Sequence, residues 1–152
     1  MLRRHLLFAP ALLPIAATPA RAARINADGG IAVRGTDVVA YAIEGRPPPG
    51  LAGIAHDWAG ARWLFATEAH RALFVREPAR FAPAYGGFCA WAVARNYLAP
   101  IDPEAWRIVE RRLFLNFDRR IQRRWERDIP GNISAAEANW PGLSRDREAP
   151  RG

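Results

Sequence analysis

The chain has 152 residues, of which half are hydrophobic and 11% aromatic, and this is enough apolar material for one globular domain with a core. Its formal charge of +7 comes from arginine alone, because the sequence contains no lysine. The arginines are spread along the chain among Asp and Glu residues, so a nucleic-acid partner is not expected.

The first 22 residues have the features of a secretory signal peptide. Residues 3–4 are arginines, residues 6–17 are apolar with two interrupting prolines, and residues 20–22 form a small-x-small cleavage site. Removal of the three arginines in this segment reduces the charge from +7 to +4. The apolar run is too short for a stable membrane anchor. We therefore expect a periplasmic protein, exported by the general secretory route rather than the twin-arginine route.

Two β-hairpins are predicted in the mature chain, which we place at residues 23–143. The first covers residues 54–65, where alternating aromatic and aliphatic residues flank Ala59-Gly60. The second covers residues 106–117 and turns at residues 110–112. With short helices packed on these hairpins, the sequence predicts a small single domain of the α+β class.

Capping residues mark the starts of the helices between and after the hairpins. Thr36 or Asp37 is expected to cap a short helix, and Thr67 and Asp118 are expected to cap those that follow the hairpins. We expect the Pro-Gly-Asn sequence at 130–132 to separate the helix that runs through Arg127 from another short helix at 133–140, and residues 144–152 to form a disordered tail. No internal repeat is visible in the sequence.

The chain's only cysteine lies in residues 85–91, which read Tyr-Gly-Gly-Phe-Cys-Ala-Trp. The glycine pair allows positive φ or a close backbone approach, and Cys89 is expected in the first turn of a short helix. Unpaired N–H groups and the helix dipole favour a thiolate at such a position. A single cysteine cannot form an internal disulfide, so Cys89 is either a reactive or metal-bound thiol or a small buried hydrophobe.

Nine segments carry a resemblance to a known family, and their order along the chain is more specific than any one of them. They are GTDVVAY at 35–41, WAGARWLFA at 58–66, Phe74 with EPARF at 77–81, YGGFCA at 85–90, DPEAW at 102–106, LFLN at 113–116, RWE at 124–126, DIPGNI at 128–133 and ANWP at 138–141. Together they resemble the YHS-domain family, in the longer form found in exported bacterial proteins.

The resemblance implies metal binding, because short YHS domains look like heavy-metal-binding modules that occur beside copper-transporting ATPases. Those modules use cysteines near the start of the domain and after the hairpin. In this chain Ala66 and His70 stand at the hairpin-following positions. The cysteine-based site of the short modules therefore does not carry over to this sequence.

Three residues are candidate ligands for copper or zinc: Cys89, His56 and His70. Thiolate and imidazole suit both metals, and three protein ligands would leave a position open for water or substrate. Their separations of 14 and 19 residues match no chelate pattern, so the site depends on the hairpin and the following helix bringing them together. We expect metal binding or handling as the first function, with copper as the first metal.

Two other functions remain open. In a thiol-dependent enzyme Cys89 would be the nucleophile with a histidine as its base, but no catalytic-cysteine signature surrounds it, so no catalytic residue is assigned. In a non-catalytic module for a small ligand or a protein partner, Cys89 would belong to the core. The ligand pocket would then be built from residues around the glycine pair, namely Tyr85, Gly86, Gly87, Phe88 and Trp91.

Overall fold

A computed structural model describes residues 24–145 of the chain. This part forms a small α+β domain, which confirms the predicted fold class. Its strands are β1 (Ala27–Asp28), β2 (Ile31–Ala32), β3 (Leu51–Trp58), β4 (Ala61–Phe65), β5 (Asp102–Val109) and β6 (Arg112–Asn116). Its helices are α1 (Val38–Ile43), α2 (Glu68–Arg76), α3 (Pro78–Phe81), α4 (Ala90–Ala94), α5 (Arg119–Trp125) and α6 (Ile129–Leu143). The predicted signal peptide, and the predicted tail from residue 146 onward, lie outside the described residues.

The strands form two sheets, each built on one of the predicted hairpins. In the larger sheet the order is β1-β2-β4-β3, with β2 and β4 parallel and the other neighbours antiparallel. The smaller sheet consists of β5 and β6 alone. Both hairpins are confirmed, and their first strands begin earlier than predicted. A register shift between Leu51 and Ala55, and another between Asp102 and Trp106, continues each strand past a bulge.

The two hairpins have the same register when residue numbers are shifted by 51. Ala55 lies opposite Leu64 in the first hairpin, and Trp106 lies opposite Leu115 in the second. Each hairpin closes through a two-residue turn in which both residues have positive φ, at 59–60 and at 110–111. Such turns match the right-handed twist of the paired strands.

The segments that precede the hairpins are also equivalent, with a shift of 52 residues. Residues 33–35 have φ values of 40°, 58° and 73°, and residues 85–87 have values of 56°, 61° and 82°. Three consecutive left-handed residues are costly for side chains other than glycine, and both turns end on a glycine, Gly35 or Gly87. The residue two positions after this glycine is the N-cap of a short helix in each half. Asp37 is the N-cap of α1, and Cys89 is the N-cap of α4.

The domain therefore contains an internal structural repeat, which the sequence analysis missed. In each half a left-handed turn, a short helix, a bulged hairpin and a second helix follow one another. Equivalent positions carry different residue types, so the sequence shows little of this repeat. For example, His70 in α2 corresponds to Ile121 in α5. The His70 N–H bonds to the capping side chain of Thr67, and the Ile121 N–H bonds to that of Asp118.

The break between the last two helices comes earlier than predicted, because α5 ends at Trp125 and α6 begins at Ile129 and runs through residues 130–132. Pro130 lies in the first turn of α6, where a helix needs no N–H donor, and the side chain of Asp128 accepts a hydrogen bond from the Gly131 N–H at 3.0 Å. Asn139 in the same helix donates to the carbonyl of Val93 in α4 at 2.9 Å. Helix α6 thereby covers the helix that follows Cys89.

The core has two clusters of buried side chains. One lies mainly between the first hairpin and α2, around Trp63, Phe65 and Phe74, and it also includes Cys89. The other surrounds Trp125 and Phe114 beneath α6. Among residues 24–145, the helices are all too short or too polar to cross a membrane.

Candidate functional site

Asp37 caps α1 from a fully buried position. Its Oδ1 accepts hydrogen bonds from the N–H groups of Val39 and Ala40, at 3.0 and 3.2 Å. Its Oδ2 accepts from the Ala66 N–H at 2.8 Å and lies 2.7 Å from Nδ1 of His70. The carboxylate is 0% exposed, yet both its oxygens are hydrogen-bonded, so its burial is compensated.

Cys89 occupies the equivalent position at the start of α4. The backbone N–H groups of Trp91, Ala92 and Phe117 lower the pKa of its thiol, and they correspond in the repeat to the three N–H groups that bond Asp37. The Cys89 side chain itself makes no capping hydrogen bond, and the Trp91 N–H bonds to Asn116 instead. The backbone of the capping residue is held in the same way in both halves. The N–H of Cys89 bonds to the carbonyl of Ala99 at 3.1 Å, and that of Asp37 bonds to Pro48 at 3.0 Å.

The backbone N–H groups of Trp91, Ala92 and Phe117, which we call the cradle, and the burial of the side chain have opposite effects on the pKa of the Cys89 thiol. Burial raises the pKa of the Cys89 thiol above its ordinary value, and it is the largest effect. The three backbone N–H groups lower the pKa and offset part of this rise, whereas the nearby carboxylate of Asp118 raises it further. The resting form at neutral pH is therefore the thiol, in a cradle that stabilises negative charge when it develops on sulfur.

Asn116, the last residue of β6, lies against this sulfur. Its Oδ1 is 3.7 Å from Sγ of Cys89 and accepts a hydrogen bond from the Trp91 N–H at 3.1 Å. Asn116 is 0% exposed, and its Nδ2 has no hydrogen-bond partner among the described residues. Phe65 holds the equivalent position in the first half. A buried amide nitrogen without a partner is unusual in a folded protein.

Cys89 lines a cavity of about 270 Å³. Cys89 is only 1% exposed, so a reagent would meet the sulfur through this cavity. In the first half the ring of His70 covers the capping carboxylate, whereas its equivalent in the second half, Ile121, is part of the cavity wall. The residues that line the cavity with Cys89 are Trp91, Tyr97, Ala99, Phe117, Arg120 and Ile121.

The structure places the two candidate histidine ligands in separate environments. His70 is held between Asp37 and Glu44, whose Oε1 is 3.5 Å from Nε2. His56 is half-buried on β3, with its ring 6.3 Å from that of Phe74. Between residues 24 and 145, no group of three His, Cys, Asp or Glu side chains is arranged to hold a metal ion. The three-ligand site expected from the sequence is thus not formed in this structure.

The five candidate pocket residues do not share one pocket. Tyr85 and Gly86 line a second cavity of about 260 Å³, and Trp91 lines the Cys89 cavity. Phe88 packs beside Trp140, with the ring centroids 6.4 Å apart. A Cβ atom at Gly87 would overlap the side chain of Val33, so this glycine serves the close approach of the two left-handed turns.

Sequence reasoning missed Asn116 as a site residue. The signal was present, because Asn116 follows the apolar run at 113–115 in one of the segments on which the resemblance to the YHS-domain family depends. Asp37 was recognised only as a possible cap, and its pairing with His70 was not foreseen. Both contacts depend on how each hairpin folds back over the preceding helix.

Comparison of the chain with family models, with curated proteins and with solved structures finds no match. The resemblance to the YHS-domain family therefore stays a prediction from the quoted segments. What the geometry itself defines is an α+β domain with a buried thiol, a backbone N–H cradle and a small cavity.

Proposed function

We propose that this chain is a thiol-dependent protein in which Cys89 exchanges with a small disulfide bound in its cavity. The observation that carries this proposal is the position of the sulfur. Cys89 lines a cavity, and the backbone N–H groups that lower the pKa of its thiol are the counterparts of those that hold a carboxylate in the other half. This function develops the thiol-dependent alternative left open by the sequence.

The first half serves as an internal reference for the cradle. Asp37 carries a carboxylate in that half, completely buried and bonded to Val39, Ala40 and Ala66. A backbone arrangement that supports a buried carboxylate also supports a thiolate, because both present negative charge to the same N–H groups. The cradle therefore lowers the free energy of the charge that appears on Cys89 during exchange.

The exchange step needs only the thiol and the bound disulfide. The Cys89 thiol loses its proton, and its sulfur attacks one sulfur of the ligand in line with the S–S bond. A new disulfide forms between Cys89 and half of the ligand, the ligand's own S–S bond breaks, and the departing thiolate takes up a proton. Because the chain has one cysteine, a second thiol from outside must release the bound half.

The size of the cavity limits the ligand. A volume of about 270 Å³ lies just below the range of about 300–1,000 Å³ that is usual for drug-sized ligands. The exchange partner is therefore a small disulfide or thiol rather than a folded protein.

Metal binding, the function expected first from the sequence, rests on the same sulfur. Copper or zinc would meet one thiolate in this cavity, without the two histidines, so further ligands would have to come from bound small molecules. The thiol exchange requires no such additional ligands, and we prefer it for that reason.

The test is the reaction of the folded mature chain with dithiodipyridine, a neutral aromatic disulfide. We expect one equivalent of thiopyridone per chain, mass spectrometry showing the mixed disulfide on Cys89, and a rate that saturates with reagent because binding precedes exchange. Cys89→Ser is the matched control and should release none. If the folded protein is inert and reacts only after unfolding in urea, Cys89 is a core residue and the proposal fails.

A further inference from the structure

We infer that the Cys89 cavity selects disulfides and thiols that carry a carboxylate, with Arg120 as the group that recognises it. This inference rests on the proposed exchange at Cys89 and names the class of its ligand. Arg120 is the single charged side chain among the residues that line the cavity.

Arg120 is free to bind an anion. The neighbouring Arg119 pairs with Glu104 at 3.4 Å, whereas Arg120 has no ion pair with any acidic group in the described part of the chain. An arginine side chain can make two parallel hydrogen bonds to a carboxylate, which fixes the orientation of the ligand as well as its position. A ligand held in this way would direct its other end toward the sulfur.

The charge of the surrounding helix favours the same class of ligand. Helix α5 contains four arginines, Arg119, Arg120, Arg123 and Arg124, and no acidic side chain. The acidic group beside the site is Asp118, which caps this helix through the Ile121 N–H and raises the pKa of the Cys89 thiol. Positive charge therefore predominates on the helix that contributes Arg120, which favours an anionic ligand.

The remaining wall suits an organic body rather than a bare inorganic ion. Trp91, Tyr97, Phe117 and Ile121 provide aromatic and aliphatic surface in the wall of the same cavity. Tyr97 and Phe117 are each 49% exposed, which is high for large apolar side chains. A small ligand with a carboxylate at one end and a sulfur at the other would cover this apolar surface and, at the same time, form an ion pair with Arg120.

The experiment compares three disulfides that differ in charge, each normalised to its rate with the same protein unfolded in urea. These are dithiobis(nitrobenzoate), which is anionic, dithiodipyridine, which is neutral, and cystamine, which is cationic. We expect the anionic reagent to react about tenfold faster than the neutral one after normalisation, and the cationic one to be slowest. Added salt should reduce these differences.

Two variants separate recognition from general electrostatics. Arg120→Gln should remove most of the preference for the anionic reagent, while Arg123→Gln, which neutralises the same charge on the same helix outside the cavity wall, should keep it within about twofold. Equal normalised rates for all three reagents would overturn the inference and leave the exchange at Cys89 standing. An equal loss in both variants would also overturn it. Inertness toward every reagent would instead remove the proposed exchange itself.

Discussion

Asp37 and Cys89 lie 52 positions apart at the N-cap positions of equivalent helices, so one backbone arrangement surrounds a hydrogen-bonded carboxylate in one half and a thiol in the other. The carboxylate is closed off by His70, and the thiol adjoins a cavity. The first half thus uses the cradle to hold the fold together. The second half has the same backbone arrangement, and its cavity can hold a small ligand.

Replacement of Asp37 by Asn should strongly destabilise the protein. An amide presents an NH₂ group in place of one carboxylate oxygen. Either the N–H groups of Val39 and Ala40 lose their acceptor at the Oδ1 position, or the Ala66 N–H loses its acceptor at the Oδ2 position, in each case inside the core. We expect a loss of about 2–4 kcal/mol in the free energy of unfolding, measured by urea denaturation. Asp57→Asn is the control, because the exposed pair of Asp57 with Arg62 should contribute nothing measurable. Equal effects of the two variants would contradict the structural role of Asp37.

The rate of Cys89 alkylation should have its pH inflection above that of a free cysteine. Burial raises the pKa of the thiol, and the reactive thiolate therefore forms at higher pH than the ordinary value of about 8.5. Iodoacetamide modification followed by mass spectrometry measures the profile, since the chain has no other cysteine. An inflection below the ordinary value would show that the N–H cradle outweighs the burial.

Asp118→Asn should move this inflection to lower pH, because the carboxylate of Asp118 raises the pKa of the thiol. Asparagine is also a good helix cap, so the change removes charge while α5 keeps its start. Asp128→Asn, at the cap of α6, is the matched control and should leave the profile unchanged. A profile that is the same in all three proteins would mean that Asp118 does not act on the sulfur.

The stability of the folded protein should fall as the pH rises above about 8.5. The folded state retains the thiol proton to higher pH than the unfolded state, so its advantage is complete below the unfolded pKa and is lost as pH rises toward the folded pKa. Cys89→Ser should flatten the curve between about 8.5 and 10. Above that range the buried Tyr41 and Tyr85, whose pKa values are also raised, act in the same direction in both proteins.

Gly87→Ala should destabilise the protein more than Gly45→Ala. Both glycines have positive φ, so alanine costs about 1 kcal/mol of backbone strain at either position. At Gly87 the new Cβ would also overlap the side chain of Val33, whereas nothing lies within 4 Å of a Cβ at Gly45. We expect at least about 1 kcal/mol of additional loss at Gly87, measured by thermal unfolding. Equal losses would show that the two left-handed turns are not closely packed.

Titration with Cu(I) and Zn(II) under reducing conditions tests the metal prediction. We expect that any binding depends on Cys89 and not on the histidines, because the structure keeps His56 and His70 in other surroundings. Cys89→Ser should then reduce affinity at least about tenfold, and His56→Ala should leave it unchanged. A comparable loss in Cys89→Ser, His56→Ala and His70→Ala would show that the three ligands do converge when metal is present.

The local features of this fold could be predicted from sequence, and the long-range ones could not. The caps Asp37, Thr67 and Asp118 are confirmed, since a capping side chain acts within three residues of itself. The pairing of Asp37 with His70 spans 33 residues, and that of Cys89 with Asn116 spans 27. Each depends on the hairpin that lies between its partners.

The repeat remained hidden for a different physical reason. Its preserved features are backbone ones, such as the left-handed turns and the bulges, and several residue types can satisfy each. The polar partner of the capping residue has also changed place. In the first half this partner is His70 in α2, and the residue equivalent to His70 in the second half is Ile121. In the second half the partner is Asn116 at the end of β6, and the residue equivalent to Asn116 in the first half is Phe65.

Because the chain contains one cysteine, every disulfide that Cys89 forms joins the protein to another molecule. Such a disulfide cannot be an intramolecular cross-link, so oxidation of Cys89 and occupancy of its cavity by a ligand would be the same event. The mass of the intact chain after gentle isolation would then identify the covalently bound ligand, with one adduct for each oxidised chain.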